Sequence, residues 1–355
     1  MRKFLIIFML LFAAPSQAVT LKEMIGQMVM VGFDGKDIQT RSVKGLLADI
    51  KASKVGGVLF LGHNVGTAAQ MLRLTVAIEA ASPYKTFITI DQEGGRVARM
   101  KPEHGAPRLP SAKQMTMLSQ QAAHDKYYET AQFLRGSGFN VNFGPVVDLE
   151  INKDNPIIAK LERSYGTDTK NVSEYAFMFV DAHHRAGMLT ALKHFPGHGS
   201  SAGDSHKGFV DISKTWNEIE LVPFKNMIGW KAADMVMVAH VFLDSMSDDG
   251  KVPTSLSRKA ITDVLRGQLG YDGVVVSDDM AMGAIANEFT AKVAIIKAIN
   301  AGTDIVMMSS NLKIKGSLGS WVHGVISQAV ANKQIPRQTI VDAYTRIQTL
   351  KNRLP

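Results

Sequence analysis

Residues 257–279 read SRKAITDVLRGQLGYDGVVVSDD. Ser257 is a good N-cap, Arg258–Leu269 carries a helical pattern, and Gly270 stops it as a C-cap glycine does. A short apolar run, Gly273–Ser277, then suits a buried strand and ends abruptly on Asp278 and Asp279. A helix, a tight turn, a buried strand and then charge is the repeating unit of a parallel α/β fold.

The same unit recurs along the chain. Strand-like runs rich in Val, Ile and Met fall at Met28–Phe33, Gly57–Leu61, Thr86–Ile90, Val141–Val147, Thr190–His194, Met235–Val241, Gly273–Ser277 and Ile305–Ser309. Between them Ala68–Ala81 and Val172–Ala186 place apolar residues at three- and four-residue steps, and Ile335–Leu354 predicts a last helix with Pro336 in its first turn. Eight parallel-type strands with intervening helices predict a TIM (β/α)8 barrel in a single domain. The competing fold is an open doubly wound sheet. It is disfavoured by the strand count and by the lack of a Gly-x-Gly-x-x-Gly after the first strand.

The N-terminus predicts export. Arg2 and Lys3 precede an apolar run, Phe4–Ala14, too short to span a bilayer, and Ser16-Gln17-Ala18 offers small cleavage residues. Residues 1–18 therefore read as a cleaved signal peptide and residues 19–355 as the single barrel domain, with a periplasmic or secreted location and no stable membrane insertion. The chain has no cysteine, so disulfides, a thiol nucleophile and a cysteine metal site are excluded. Its 46% apolar content can build the core that must replace disulfides. The net charge of +8 is scattered and forms no basic run, which argues against a nucleic-acid partner. A monomer without cofactor is expected.

A barrel makes a claim about chemistry: it sits just after the C-terminal ends of the strands. Those positions are polar here. After the third run comes Asp91-Gln92-Glu93-Gly94-Gly95-Arg96-Val97-Ala98-Arg99, and after the fourth Asp148 and, further on, Glu162-Arg163-Ser164-Tyr165. The fifth carries Lys193-His194, then Phe195–Gly199, and its loop continues to Asp204-Ser205-His206. The sixth ends near His240, the seventh at Asp278, and the eighth at Ser309, Ser310 and Asn311. Each piece has a structural reading: Asp278 and Asp279 could cap a helix, Gly94-Gly95 could be only a turn, and Lys193-His194 could be a buried pair. So many costly polar groups gathered at one end of otherwise apolar strands point instead to a site.

The strings DQEGGRVAR (91–99), ERSY (162–165), KHFPGHG (193–199), DSH (204–206) and VSDD (276–279) resemble glycoside hydrolase family 3, and most of all its single-domain bacterial β-N-acetylglucosaminidases of the NagZ type. The resemblance runs from about residue 22 to 330. It implies that Asp278 is a covalent nucleophile, that His206 is an acid/base paired with Asp204, and that Asp91, Arg99, Arg163, Lys193 and His194 hold the terminal sugar. It also implies that His198 shapes the loop.

That assignment is chemically coherent. A retaining glycosidase needs a nucleophile on one face of the anomeric carbon and a proton donor on the other. Asp278 at a strand end has a fixed direction, and a cation such as Lys193 would keep it ionised. The only carboxylic rival to His206 on these loops is Glu93, in a tight Gly-rich turn. Imidazole titrates near neutral pH, and Asp204 can fix its tautomer. Glycines and serines in 197–203 suit a loop that opens and closes. The expected reaction is removal of non-reducing-end β-linked GlcNAc from peptidoglycan fragments or chito-oligosaccharides. The alternatives are a β-glucosidase or GlcNAc phosphorylase of the same family, a metal-dependent hydrolase using His194, His198, Asp204 and His206, and a non-catalytic wall-binding barrel. The zinc reading suffers from spacing, and no metal is expected. Export departs from the cytoplasmic habit of the Gram-negative relatives that the motifs bring to mind.

Overall fold

The computed structural model describes residues 19–248, 252–309 and 316–355; the expected signal peptide, Ser310 and Asn311 lie outside them. Its eight parallel strands are β1 (Val29–Gly32), β2 (Gly57–Phe60), β3 (Phe87–Ile90), β4 (Val141–Asn142), β5 (Leu189–Phe195), β6 (Met235–Val238), β7 (Val274–Ser277) and β8 (Val306–Met308). Each pairs with the next in sequence. β8 pairs back onto β1, and a bridge between Val276 and Ile305 joins β7 to β8. The sheet therefore closes into the expected barrel. Every residue of these strands is buried, because side chains pointing inward fill the barrel and those pointing outward meet the helices.

The strands are shorter than their apolar runs at several ends, most of all β4. Past Asn142 the regular pairing gives way to looser bonding: Phe143 donates to the Ile90 carbonyl (2.8 Å), the Gly144 and Pro145 carbonyls accept from Ala191 (2.9 Å) and Lys193 (3.2 Å), and Val147 donates to the Lys193 carbonyl (2.8 Å), while Pro145 has no N–H to give. The helix Ala68–Ala81 has the predicted bounds and is started by a Thr67/Gln70 capping box. The helix expected at Arg258–Leu269 is wound as a π-helix over Lys259–Gln268. Ser257 still caps it through the N–H of Ala260 (3.3 Å), and Gly270 leaves it at φ +69°. The last helix spans Arg337–Lys351. Among the described residues no helix is long and apolar enough to cross a membrane.

Two loops on the upper rim position the site. After β3 the chain makes a small hairpin, Gln92–Gly94 against Val97–Ala98, which the sequence showed only as a turn. Asn142 pins it by accepting from the N–H of Gln92 (2.9 Å) and donating to its carbonyl (2.9 Å). After β5 the chain runs irregularly to the short 3-10 turn Glu218–Leu221.

Candidate active site

A cleft of about 330 Å³ opens on the upper rim and is lined by Asp91, Glu93, Arg99, Arg163, Lys193, His194, His206 and Asp278. The structure thus brings together residues marked by the five motifs, from five separate segments of the chain. Asp204 stands behind His206 rather than on the wall.

The floor is an alternating chain of charges. Lys193 Nζ lies 2.8 Å from Asp91 Oδ1 and 2.6 Å from Glu93 Oε1. Arg163 grips Glu93 with two parallel bonds, Nε to Oε2 at 2.7 Å and Nη2 to Oε1 at 2.8 Å. Arg99 reaches Asp91 Oδ2 at 3.2 Å. His194 Nδ1 is 2.7 Å from Asp148 Oδ2, and its Nε2 is 3.3 Å from Arg163 Nη2. The tautomer that satisfies both neighbours donates from Nδ1 to Asp148 and accepts from Arg163.

These contacts decide several assignments. Burial pushes the Glu93 carboxyl up, but Arg163 and Lys193 outweigh it and bring it down to about 2. A carboxylate held that low has no proton to give near neutral pH, so Glu93 is not the acid. Burial likewise raises Asp91, yet Lys193 and Arg99 leave it below its ordinary value. Lys193 does not act on Asp278 as the sequence suggested: its ammonium is spent on Asp91 and Glu93. Burial also opposes ionisation of Asp278, and the nearby His240 and His194 rings, the Asp279 N–H and His206 more than offset it.

The aspartate pair divides its work. Asp279 Oδ1 accepts from the N–H groups of Ala281 (3.0 Å) and Ser309 (2.8 Å), so it ties the turn after β7 to the end of β8; neither aspartate caps the next helix, Gly283–Ala286, whose N-cap is Met282. Among the described residues Asp278 accepts only the N–H of Asp279 (2.8 Å), and it lines the cleft. His240 backs this turn from β6. Its Nε2 donates to the Asp279 carbonyl (3.0 Å) and its Nδ1 meets Ser255 Oγ (2.6 Å).

His206 stands on the other wall, with 61% of its side chain exposed. Its Nδ1 is 2.8 Å from Asp204 Oδ1, which also accepts the His206 N–H at 3.0 Å. Burial raises Asp204, but its bonds to His206 and the charge of Lys207 keep it lowered, so it is an anion that can orient a donating Nδ1–H and leave Nε2 toward the cleft. His198 is buried between Ser201 Oγ (2.7 Å) and Ser205 Oγ (3.1 Å), and burial drops it to about 4. It shapes the loop as a neutral ring. His194 and His198 therefore spend their ring nitrogens on Asp148, Arg163 and serines. Among the described residues no group of three or more His, Asp or Glu is arranged to hold a metal.

The sequence placed Asp148 and His240 at strand ends without a role and Glu93 only as a rival acid, and their partners emerge in the structure. All three follow strands, so position marked them, but nothing local revealed their partners.

Comparison with known proteins agrees with this geometry. Residues 20–350 match the glycosyl hydrolase family 3 N-terminal domain. The chain is 30% identical to a beta-hexosaminidase A of Pseudoalteromonas piscicida, over 96% of this chain and 62% of that protein. It is 34% identical to a beta-hexosaminidase of Tolumonas auensis, over 72% of this chain and 76% of that one. A family 3 beta-N-acetylglucosaminidase from a Paenibacillus species has a similar structure (TM-score 0.86, 30% identity, covering 95% of this chain and 63% of that one). So does a beta-N-acetylhexosaminidase from Beutenbergia cavernae (TM-score 0.83, 29% identity, 94% and 99%). The chain belongs to glycosyl hydrolase family 3 and is related to bacterial beta-hexosaminidases. It spans less than two thirds of the length of the Pseudoalteromonas and Paenibacillus proteins.

Proposed function

We propose that this chain is a retaining exo-β-N-acetylglucosaminidase that removes terminal β-linked GlcNAc from peptidoglycan fragments or chito-oligosaccharides. The observation that carries the reading is one cleft walled by Asp278 on a rigid strand end and by His206 backed by Asp204 on a loop. Asp278 attacks the anomeric carbon, and His206 gives its proton to the departing glycosidic oxygen. Sugar is then ester-linked to Asp278. In the second step His206, now neutral, takes a proton from water, whose oxygen displaces Asp278 and releases the sugar with net retention. A histidine suits this exchange because it can serve as acid and then as base near neutral pH.

Asp91, Arg99, Arg163, Lys193 and His194 bind the sugar in this reading. Their charges are balanced while the cleft is empty, so substrate hydroxyls would trade with ion pairs already formed instead of relieving bare charge. The N-acetyl specificity is supported by the motifs and by the named relatives. The export motif supports action in the periplasm or outside the cell. Cell fractionation with an antibody would check that, and material confined to the cytoplasm would refute it.

The central test is hydrolysis of chromogenic β-GlcNAc, β-GalNAc and β-glucoside substrates, with and without inorganic phosphate. Preference for β-GlcNAc and release of free GlcNAc are expected. A β-glucoside preference would overturn the specificity. A sugar phosphate product would turn the hydrolase into a phosphorylase.

A further inference from the structure

Glu220 is a buried carboxylate to which the chemistry above gives no task. It lies in the 3-10 turn Glu218–Leu221, beneath the loop that carries Asp204 and His206. Its Oε2 accepts the N–H groups of Gly199 (3.1 Å) and Ser200 (3.3 Å). Its Oε1 and the hydroxyl of Ser200 are both buried and make no other hydrogen bond among the described residues, and the Ser200 hydroxyl acts on the carboxyl to lower it. The loop is moulded onto this side chain: Gly197 sits at φ +116°, and a Cβ there would come within 2.6 Å of Glu220 Cβ. Among the described residues no cation pairs with Glu220. The charged group that acts on it is Asp148, which also accepts the His198 N–H (2.8 Å).

The grip extends along the loop. Gly199 and Ser200 follow His198, whose ring bonds to Ser201 and Ser205. Ser205 lies between Asp204 and His206, and the carbonyls of Ser205 and His206 accept from the N–H groups of Ala284 (3.1 Å) and Gly283 (3.2 Å). Two hydrogen-bonded clamps thus hold the loop, one at its root on Glu220 and one at its tip on the turn after Asp278.

We propose that Glu220 is the positioning residue of this loop, its carboxylate setting where His206 stands over the cleft. The inference rests on the reading of His206 as the acid/base. A buried carboxylate without a cation is costly, and burial together with Asp148 raises this one to about 7. Its folded value lies above its unfolded one, so ionisation subtracts stability as pH rises through about 7. A group kept for stability alone would do better as a neutral amide. As an anion, however, it is a stronger acceptor for the two loop N–H groups.

The test measures kcat/KM for β-GlcNAc substrates with an activated aryl leaving group and with a poor alkyl one, since kcat/KM reports the step in which the bond is protonated. Glu220→Gln should lose about tenfold on the poor leaving group at pH 8 and little on the activated one, because a displaced loop weakens proton donation. The loss should shrink below about pH 6, where Glu220 is already neutral. Melting above pH 7 should show Glu220→Gln at least as stable as the wild type. Ser200→Ala should lose less, in the same direction. Equal losses on both substrates, or wild-type kcat/KM at pH 8, would overturn the proposal. His206→Ala is run alongside. If it lacks the leaving-group dependence, the acid/base reading falls and this proposal falls with it. If His206→Ala shows the dependence and Glu220→Gln does not, only the role of Glu220 is lost.

Discussion

The two rims of the barrel both bury ions, but they close them differently. On the lower rim Asp304 meets Arg266 (2.7 Å) and Arg346 (3.0 Å), and Asp234 meets His184 (2.7 Å) and Arg353 (2.6 Å). Both aspartates also accept strand N–H groups, from Val275 and Thr190. These clusters staple strand starts to the outer helices. On the upper rim the ions sit on the last residues of the strands and the loops after them, Lys193 within β5 among them, and line a cleft, and among the described residues Asp278 has no ion pair at all. Charge that is fully satisfied holds a fold together, whereas charge left on a cleft wall is available to a substrate.

If that division is right, damage to the upper rim removes activity and damage to the lower rim removes stability. The largest effect is expected at Asp278→Asn, which keeps the shape and removes the nucleophile. Turnover should fall by several orders of magnitude with an unchanged melting temperature. Appreciable remaining turnover on β-GlcNAc substrates would dismiss Asp278 as nucleophile. His206→Ala should lose about 10²–10⁴-fold in kcat/KM on a poor leaving group and far less on an activated one. A uniform loss would point to a structural histidine instead.

The ion pairs test the boundary itself. Glu93→Gln strands Arg163 and Lys193, so it should cost about 3–5 kcal/mol in denaturant unfolding and most of the activity as well. Asp304→Asn strands Arg266 and Arg346, and it should cost a similar amount of stability while kcat in the remaining folded enzyme is unchanged. A loss of kcat in Asp304→Asn would show that the two rims are coupled.

The smallest effect belongs to Lys351, buried under the barrel with only neutral acceptors, Gln27 Oε1 (2.7 Å) and the Gly56 carbonyl (2.8 Å). Burial lowers it from 10.5 to about 7. The unfolded chain then binds the extra proton between those values, so the wild type should gain stability as pH rises from about 7 toward 10. Lys351→Met should flatten that rise in a urea series. An identical slope in the mutant would assign the pH dependence elsewhere.

The barrel was legible because its signal is local. Apolar runs, capping residues and a polar residue after each run mark strands and helices within a dozen positions, and Asp278 and His206 were found that way together with the family motifs. The π-helical winding of Lys259–Gln268 and the early end of β4 were not, because an apolar pattern does not specify which backbone acceptor each N–H takes. Asp148 was visible only as a polar residue past a strand, and nothing in the sequence singled out Glu220.

Sequence alone therefore determined the order of elements, the parallel class, the rim on which chemistry gathers and the residue types available there. Tertiary structure decided which charge answers which. It took Lys193 from Asp278 and gave it to Asp91 and Glu93, removed Glu93 as an acid, split Asp278 from Asp279, and set Glu220 under the histidine loop. The physical reason is range. Periodicity and capping act within one segment, whereas ionisation depends on partners a few ångströms away in space and far away in sequence, as Lys193 is 102 residues from Asp91.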